Sequence, residues 1–218
     1  MLKIYAIAIS LYCAKTRILL RYKNLQWQEV EPPGGYGSAV YKLIIPSGNL
    51  PALIDDRLVL SDSEAIAEYL NEKYPAPPML PEELARRARI RELSRFHDTR
   101  LEPELRAMFA HIKPTNRDRA LLQIQSEKIS QRLYQLSALL DEDNCAHLES
   151  GELMLCDCGY PVTFEWINQL TPLLELDIEW PDAVQSYLEK CLRQRTIAAE
   201  MIKYRPLLDQ YLTDSGAK

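Results

Sequence analysis

The chain has 218 residues, 47% of them hydrophobic and 26% charged, with a formal net charge of −5. That balance belongs to a globular protein of one large domain or two smaller ones, with core enough to need neither disulfide nor metal. Both signs of charge are mixed along the chain, which argues against nucleic acid or an anionic membrane surface as the main partner.

The opening, Leu2 to Ile9, is apolar, far shorter than a membrane span, and lacks a small-residue cleavage site. It reads as a buried strand rather than a signal peptide. Cys13 to Tyr22 reads as a helix with apolar Ile18, Leu19 and Leu20 and a basic face of Lys15, Arg17 and Arg21, and Gln26 to Val30 as a second strand. Glu31 to Gly37 is a Pro/Gly loop, followed by a weak helical turn over Ser38 to Leu43. Ile45 to Pro51 forms a turn that delivers the chain into Ala52-Leu53-Ile54. Asp55-Asp56 then turns it into Leu58-Val59-Leu60. Ser61-Asp62-Ser63-Glu64 starts an amphipathic helix in capping fashion, with acids where the helix dipole favours them. The first third thus predicts a β-α-β-α-β-β-α unit.

Tyr74 to Pro81 is proline-dense and ends helical continuity. Beyond it the period is helical throughout. Glu82 to His111 carries Leu84, Ile90, Leu93, Phe96, Leu101 and Leu105, with a kink or boundary expected at Pro103. Arg117 to Leu140, Val162 to Leu174, Asp182 to Cys191 and Arg195 to Met201 complete the helices. The five cysteines are odd in number and scattered, as expected of reduced thiols in a cytoplasmic protein. Cys156-Asp157-Cys158 has the wrong spacing for zinc, and His97, His111 and His147 show no ligand pattern, so no metal site is expected.

Three segments stand out for chemistry: Ser10-Leu-Tyr-Cys-Ala-Lys-Thr-Arg17, Gly48-Asn-Leu-Pro-Ala-Leu53, and Leu58-Val-Leu-Ser-Asp-Ser-Glu-Ala-Ile-Ala-Glu-Tyr-Leu70. Taken alone, Ser10 and Asp62 are helix caps and Pro51 is an ordinary strand-start proline. Together and in this order, they resemble the glutathione transferase superfamily. The first is similar to the Ser-Pro-Phe-x-x-Arg openings of its serine-type classes and to the Cys-Pro-Phe counterparts. The second is similar to Gly-Lys-Val-Pro-Ala-Leu, and the third to Leu-x-Glu-Ser-x-Ala-Ile-x-x-Tyr-Leu, with Asp62 in place of Glu.

The resemblance implies an α/β plus all-α fold: a thioredoxin-like βαβαββα domain over 1–75, a linker over 76–81, and an all-helical domain over 82–218. It implies an enzyme that activates the thiol of glutathione for attack on a small hydrophobic electrophile. The alternatives are a glutathione-dependent dehalogenase, etherase or isomerase, and a non-catalytic adaptor or regulator on the same fold. A cytoplasmic homodimer with no metal and no nucleic-acid partner is expected.

Residue by residue, the resemblance makes Ser10 the group that holds the thiol as thiolate, the nucleophilic form. Pro51 would be cis, exposing Leu50's backbone to the cysteinyl backbone of glutathione like an added strand. Asp62 and Ser63 would hold the γ-glutamyl ammonium and carboxylate at a helix start. Asn49, with Lys42 as substitute, would face the glycyl carboxylate, and Leu11, Tyr12, Phe96, Arg100 and Met108 would line the electrophile's pocket. Cys13 is not at the cysteine-type position. In the tyrosine-type classes, counting back from Arg17 reaches Ala6 rather than Tyr5, which is the opposite strand face. Leu11 departs from the usual proline, and Met154 from the Ser/Thr of a Ser/Thr-x-x-Asp capping box that retains Asp157.

Overall fold

Short apolar runs separated by turns pair into a sheet, whereas longer runs with helical period pack as helices. The computed structural model describes residues 1–140 and 145–216 and shows both solutions in succession. Strands β1 (Leu2–Tyr5), β2 (Trp27–Val30), β3 (Ala52–Asp55) and β4 (Leu58–Leu60) form a mixed sheet in the order β2-β1-β3-β4. β1 runs parallel to β2, with Leu2 opposite Trp27, and antiparallel to β3, with Tyr5 opposite Ala52. Helices α1 (Leu11–Tyr22), the single-turn α2 (Ala39–Lys42) and α3 (Ser63–Lys73) complete this half. The expected β-α-β-α-β-β-α order and the helical remainder are both present.

β1 is shorter than its apolar run suggested. The pairing ends at Tyr5, and after an Ala6 N–H bond to the Val30 carbonyl (3.0 Å) residues 7–10 turn as a loop. Ile7 and Ile9 are apolar because they wall a cavity, not because they continue the sheet.

The stretch from 82 to 111 breaks into four pieces: α4 (Leu84–Phe96), a π-helical turn (His97–Leu101), α5 (Glu102–Ala107) and a 3₁₀ turn (Met108–His111). Pro103 sits in the first turn of α5, where its missing N–H costs nothing. α6 (Arg119–Leu139), α7 (Tyr160–Leu173), α8 (Asp182–Arg193) and α9 (Arg195–Asp214) follow. α9 runs on to Asp214 rather than stopping near Met201, carrying Pro206 within it, because Tyr204, Leu208 and Leu212 bury a continuous stripe. That tertiary burial overrides the proline.

Two devices anchor the helical half. Asp157, fully buried, accepts from the Met154 N–H, His147 Nε2 and the Tyr187 hydroxyl, each at 2.7 Å. The carboxylate half of the capping box survives, and the Asp157 N–H, from which a hydroxyl cap would have accepted, bonds the Met154 carbonyl (3.0 Å). Gly159, at the start of α7, lets the His97 ring pack against its backbone. A Cβ there would lie 2.6 Å from His97 Cε1. The ring cannot retreat, since its nitrogens lie 2.6 Å from Asp98 Oδ1 and 2.7 Å from Thr163 Oγ1. Gly159→Ala is therefore expected to destabilise the protein by about 2–3 kcal/mol, the cost of overpacking a rigid site. Chemical denaturation would check it; an unchanged midpoint would mean that the ring has room to shift.

Candidate functional site

The loop 7–10, the turn before β3 and the start of α3 all open onto one cavity of about 720 Å³, closed on its far side by the helices. Ser10, Leu11 and Tyr12 line it from the start of α1, Asn49 and Leu50 from the turn, and Ser61, Asp62 and Ser63 from the start of α3. Arg95, Asp98, Glu102, Pro103, Arg106, Phe109, Trp166 and Tyr211 supply the helical wall.

Ser10 is the N-cap of α1. Its Oγ accepts from the Cys13 N–H at 3.3 Å, which uses a lone pair and leaves the hydroxyl proton free to donate. The loop that carries it is pinned from α1 and α9. Arg17 donates to the Ala8 carbonyl (2.9 Å), and the Tyr204 hydroxyl donates to the Ile9 carbonyl (2.6 Å) while accepting from Trp166 Nε1 (2.7 Å). Arg17 in turn bonds Glu200 (2.6 Å) and Glu29 (2.9 Å). None of these anchors was foreseen. Glu200 and Tyr204 lie one helical turn apart on α9, the only trace they leave in the sequence.

The Leu50–Pro51 peptide is cis, and so is Ala76–Pro77. Among the described residues, neither the N–H nor the C=O of Leu50 has a hydrogen-bond partner. Lys42 does not reach the cavity; its stem packs on Gly48, where an added Cβ would lie 2.9 Å from Lys42 Cε. Asp62 caps α3 through one oxygen, which accepts from the Glu64 N–H (3.0 Å) and the Ala65 N–H (2.8 Å). Ser63 is only 9% exposed, and its hydroxyl has no partner among the described residues.

Beneath this end lies a buried charge cluster. The expected basic face of α1 is not solvated: Lys15 is 2% exposed and donates to Glu64 (2.7 Å) and to both oxygens of Asp98 (2.9 and 3.0 Å). Ser94 also donates to Glu64, at 2.8 Å. Burial alone would raise the Asp98 carboxyl, but the His97 hydrogen bond and the Lys15 charge hold it well below the usual carboxylate range. Burial likewise works against the Lys15 ammonium, and the two carboxylates more than reverse it.

On the helical side of the cavity, the Tyr12 hydroxyl donates to Glu102 (3.0 Å), and burial together with that carboxylate pushes the phenol far above its ordinary value. Arg106 pairs with Glu102 and lies 5.7 Å over the rings of both Tyr12 and Phe109. Cys13 is buried, and burial raises its thiol, the reverse of an activated cysteine.

Leu11 and Tyr12 line the cavity, whereas Phe96, Arg100 and Met108 do not: Phe96 packs on the core, Arg100 faces solvent, and Met108 is buried. Those three were expected there from the resemblance alone. The residues of this stretch that reach the cavity are Arg95, Asp98, Glu102, Arg106 and Phe109, at intervals of three and four residues.

Comparison with known proteins bears on this arrangement. Residues 4–78 match the family described as glutathione S-transferase, N-terminal domain. Glutathione S-transferase Z1 of Arabidopsis thaliana is 40% identical over 90 residues, which span 40% of this chain and 41% of that protein. Maleylacetoacetate isomerase of Pseudomonas aeruginosa is 35% identical over 96 residues, 41% of this chain and 45% of that one. The match thus spans less than half of these relatives' length. A delta-class glutathione transferase of Nilaparvata lugens superposes over 99% of this chain and 100% of its own with a TM-score of 0.79, at 17% identity, which speaks to fold alone.

Proposed function

We propose that the chain is a glutathione transferase in which the stretch 4–78, which matches the glutathione S-transferase N-terminal domain, binds glutathione and activates its thiol for attack on a small electrophile. One observation carries the reading: the Ser10 hydroxyl, the unpaired backbone of Leu50 and the unpaired hydroxyl of Ser63 open onto the same cavity. Leu50 offers one N–H and one C=O, the pair an extended peptide needs to add as a strand. Asp62 keeps an oxygen for the γ-glutamyl ammonium, and the start of α3 with Ser63 suits the neighbouring carboxylate. Asn49 lies at the mouth, where it suits the glycyl end. Ser10 donates to the sulfur and favours its thiolate, aided by the dipole of α1. Tyr12 and Cys13 are poor substitutes, the first engaged by Glu102 and the second buried.

The electrophile then occupies the side walled by Leu11, Tyr12, Phe109, Trp166 and Tyr211, where proximity and an apolar surface suffice for conjugation. Glutathione-dependent isomerisation is the second reading, favoured by the likeness to maleylacetoacetate isomerase; dehalogenation and ether cleavage need the same thiolate. We place the protein in the cytoplasm as a homodimer, divided into 1–75, 76–81 and 82–218. Apolar side chains exposed at Val59 on the edge strand and Leu84 at the start of α4 support a partner surface. Among the described residues, no helix is long and apolar enough to cross a membrane.

Isothermal titration with millimolar glutathione, alongside sedimentation, tests the reading. Saturable binding by a species near twice 25.2 kDa is expected. Absence of binding would leave the non-catalytic adaptor, and a monomer would remove the dimer.

A further inference from the structure

A serine hydroxyl acts on a bound sulfur only if its loop holds it in place, since a displacement of about 1 Å can cost about 100-fold in rate. The loop 7–10 lies outside the sheet, so its placement comes from elsewhere. The peptide unit between Ile9 and Ser10 is planar, and whatever fixes its carbonyl also fixes the Cα of Ser10. Its N–H bonds the Ile7 carbonyl at a long 3.3 Å, whereas its C=O accepts from the Tyr204 hydroxyl at 2.6 Å. Among the described residues that carbonyl has no other donor. Tyr204 is fully buried in α9, and its oxygen accepts from Trp166 Nε1 at 2.7 Å. Trp166 belongs to the helical wall of the cavity, its ring 4.5 Å from that of Phe109 and edge-on to Tyr211 at 5.8 Å. An indole N–H can only donate, so the order is forced: Trp166 donates to Tyr204, which turns its own proton to Ile9. Burial raises the phenol, and that proton stays in place.

We propose that Tyr204 is a positioning residue for thiol activation, a strut between Trp166 and the Ile9–Ser10 peptide that aims the Ser10 hydroxyl at the bound sulfur. The role rests on the glutathione-activating reading above. It adds a residue from the far end of the chain that lines no part of the cavity itself. Linked hydrogen bonds polarise one another, so the donor from Trp166 strengthens the bond to Ile9 and keeps the Tyr204 hydroxyl from rotating away. The strut also joins the two sides of the cavity: the Trp166 ring walls the electrophile's side, while its N–H serves the thiol. Were Tyr204 only a packing residue of α9, its loss would lower stability and leave the acidity of the sulfur alone.

The test reads the ionisation of bound glutathione by thiolate absorbance, with no electrophile present, in the wild type and three variants. Tyr204→Phe keeps the ring and removes both bonds. Trp166→Phe keeps an aromatic wall and removes only the donor to Tyr204. Leu208→Ala, at a fully buried site one turn further along α9, loosens the helix without touching the strut. In Tyr204→Phe the bound thiol is expected to ionise about one unit higher, while glutathione affinity stays within about threefold. Trp166→Phe should move it about half as far. Leu208→Ala should lower the thermal midpoint at least as much as Tyr204→Phe and leave the thiol within about 0.2 unit of the wild type. No shift in Tyr204→Phe, or an equal shift in Leu208→Ala, overturns the positioning role. No shift in Trp166→Phe overturns the link to the helical wall, and this variant carries the test should Tyr204→Phe fail to fold. A wild type that binds no glutathione, or whose bound thiol titrates as in water, overturns the underlying reading and this role with it.

Discussion

Lys15→Met is expected to destabilise the protein by about 3–5 kcal/mol, because it leaves two buried carboxylates facing each other without their shared cation. Lys15 reaches Glu64 at 2.7 Å and Asp98 at 2.9 Å, and both side chains are at most 10% exposed. Methionine matches the length of the stem and not the charge, so the loss is electrostatic rather than a cavity. For a chain of this size the thermal midpoint should fall by roughly 10 °C. Adding Glu64→Gln and Asp98→Asn should recover much of the loss, since a whole buried charge cluster is far cheaper to replace than to halve.

The pH dependence has a definite sign. The Asp98 carboxyl is depressed from its ordinary 3.8. Its contribution is therefore complete above that value and is lost as pH falls through the lower folded value. Lys15 is raised from 10.5, so its contribution is complete below that value and is lost only as pH rises beyond it. The gap between wild type and Lys15→Met should thus be wide at neutral pH and narrow on the acid side, where protonation relieves the variant's unpaired carboxylates. A gap independent of pH down to acid unfolding would show that Lys15 acts by packing alone.

Ser10→Ala is expected to lower turnover roughly 10- to 100-fold near neutral pH while glutathione affinity changes by less than about threefold. The reasoning is a difference between protonation states. A hydroxyl donor to a charged acceptor is worth about 1.5–3 kcal/mol. At 1.36 kcal/mol per unit, that moves a thiol by about one to two pKa units. The contact strengthens as charge collects on sulfur, so its removal appears in turnover rather than in binding. The same change also removes the cap of α1, at about 1 kcal/mol of stability, which Ser10→Gly would largely spare. If turnover survives, the N–H groups of α1's first turn are left to stabilise the thiolate. Tyr12 and Cys13 are not, since one is bound to Glu102 and the other is buried.

The fold was legible because its signals are local. Apolar runs bounded by turns gave the strands, the Asp62 cap gave the start of α3, and the proline run at 74–81 marked where helices take over. The site's sheet half was legible for the same reason: Ser10, Leu50, Asp62 and Ser63 sit at element boundaries that the sequence punctuates. What was not legible depends on partners far along the chain. Lys15 and Arg17 look like a solvated basic face until Glu64, Asp98 and Glu200 are brought against them. The helical wall was expected at Phe96, Arg100 and Met108, whereas Arg95, Asp98, Glu102 and Arg106 line the cavity. Their spacing of three and four is the ordinary helical period, but a face of charged residues reads as solvent-facing until the cavity is seen.

The most direct test follows the ultraviolet absorbance of the thiolate of bound glutathione across a pH titration, in the wild type and in Ser10→Ala. The expected result is a bound thiol that ionises about one to two units below free glutathione in the wild type and returns most of the way in the variant. A bound thiol that titrates as it does in water, or one equally depressed in both proteins, would contradict the claim that the Ser10 hydroxyl holds the sulfur ionised.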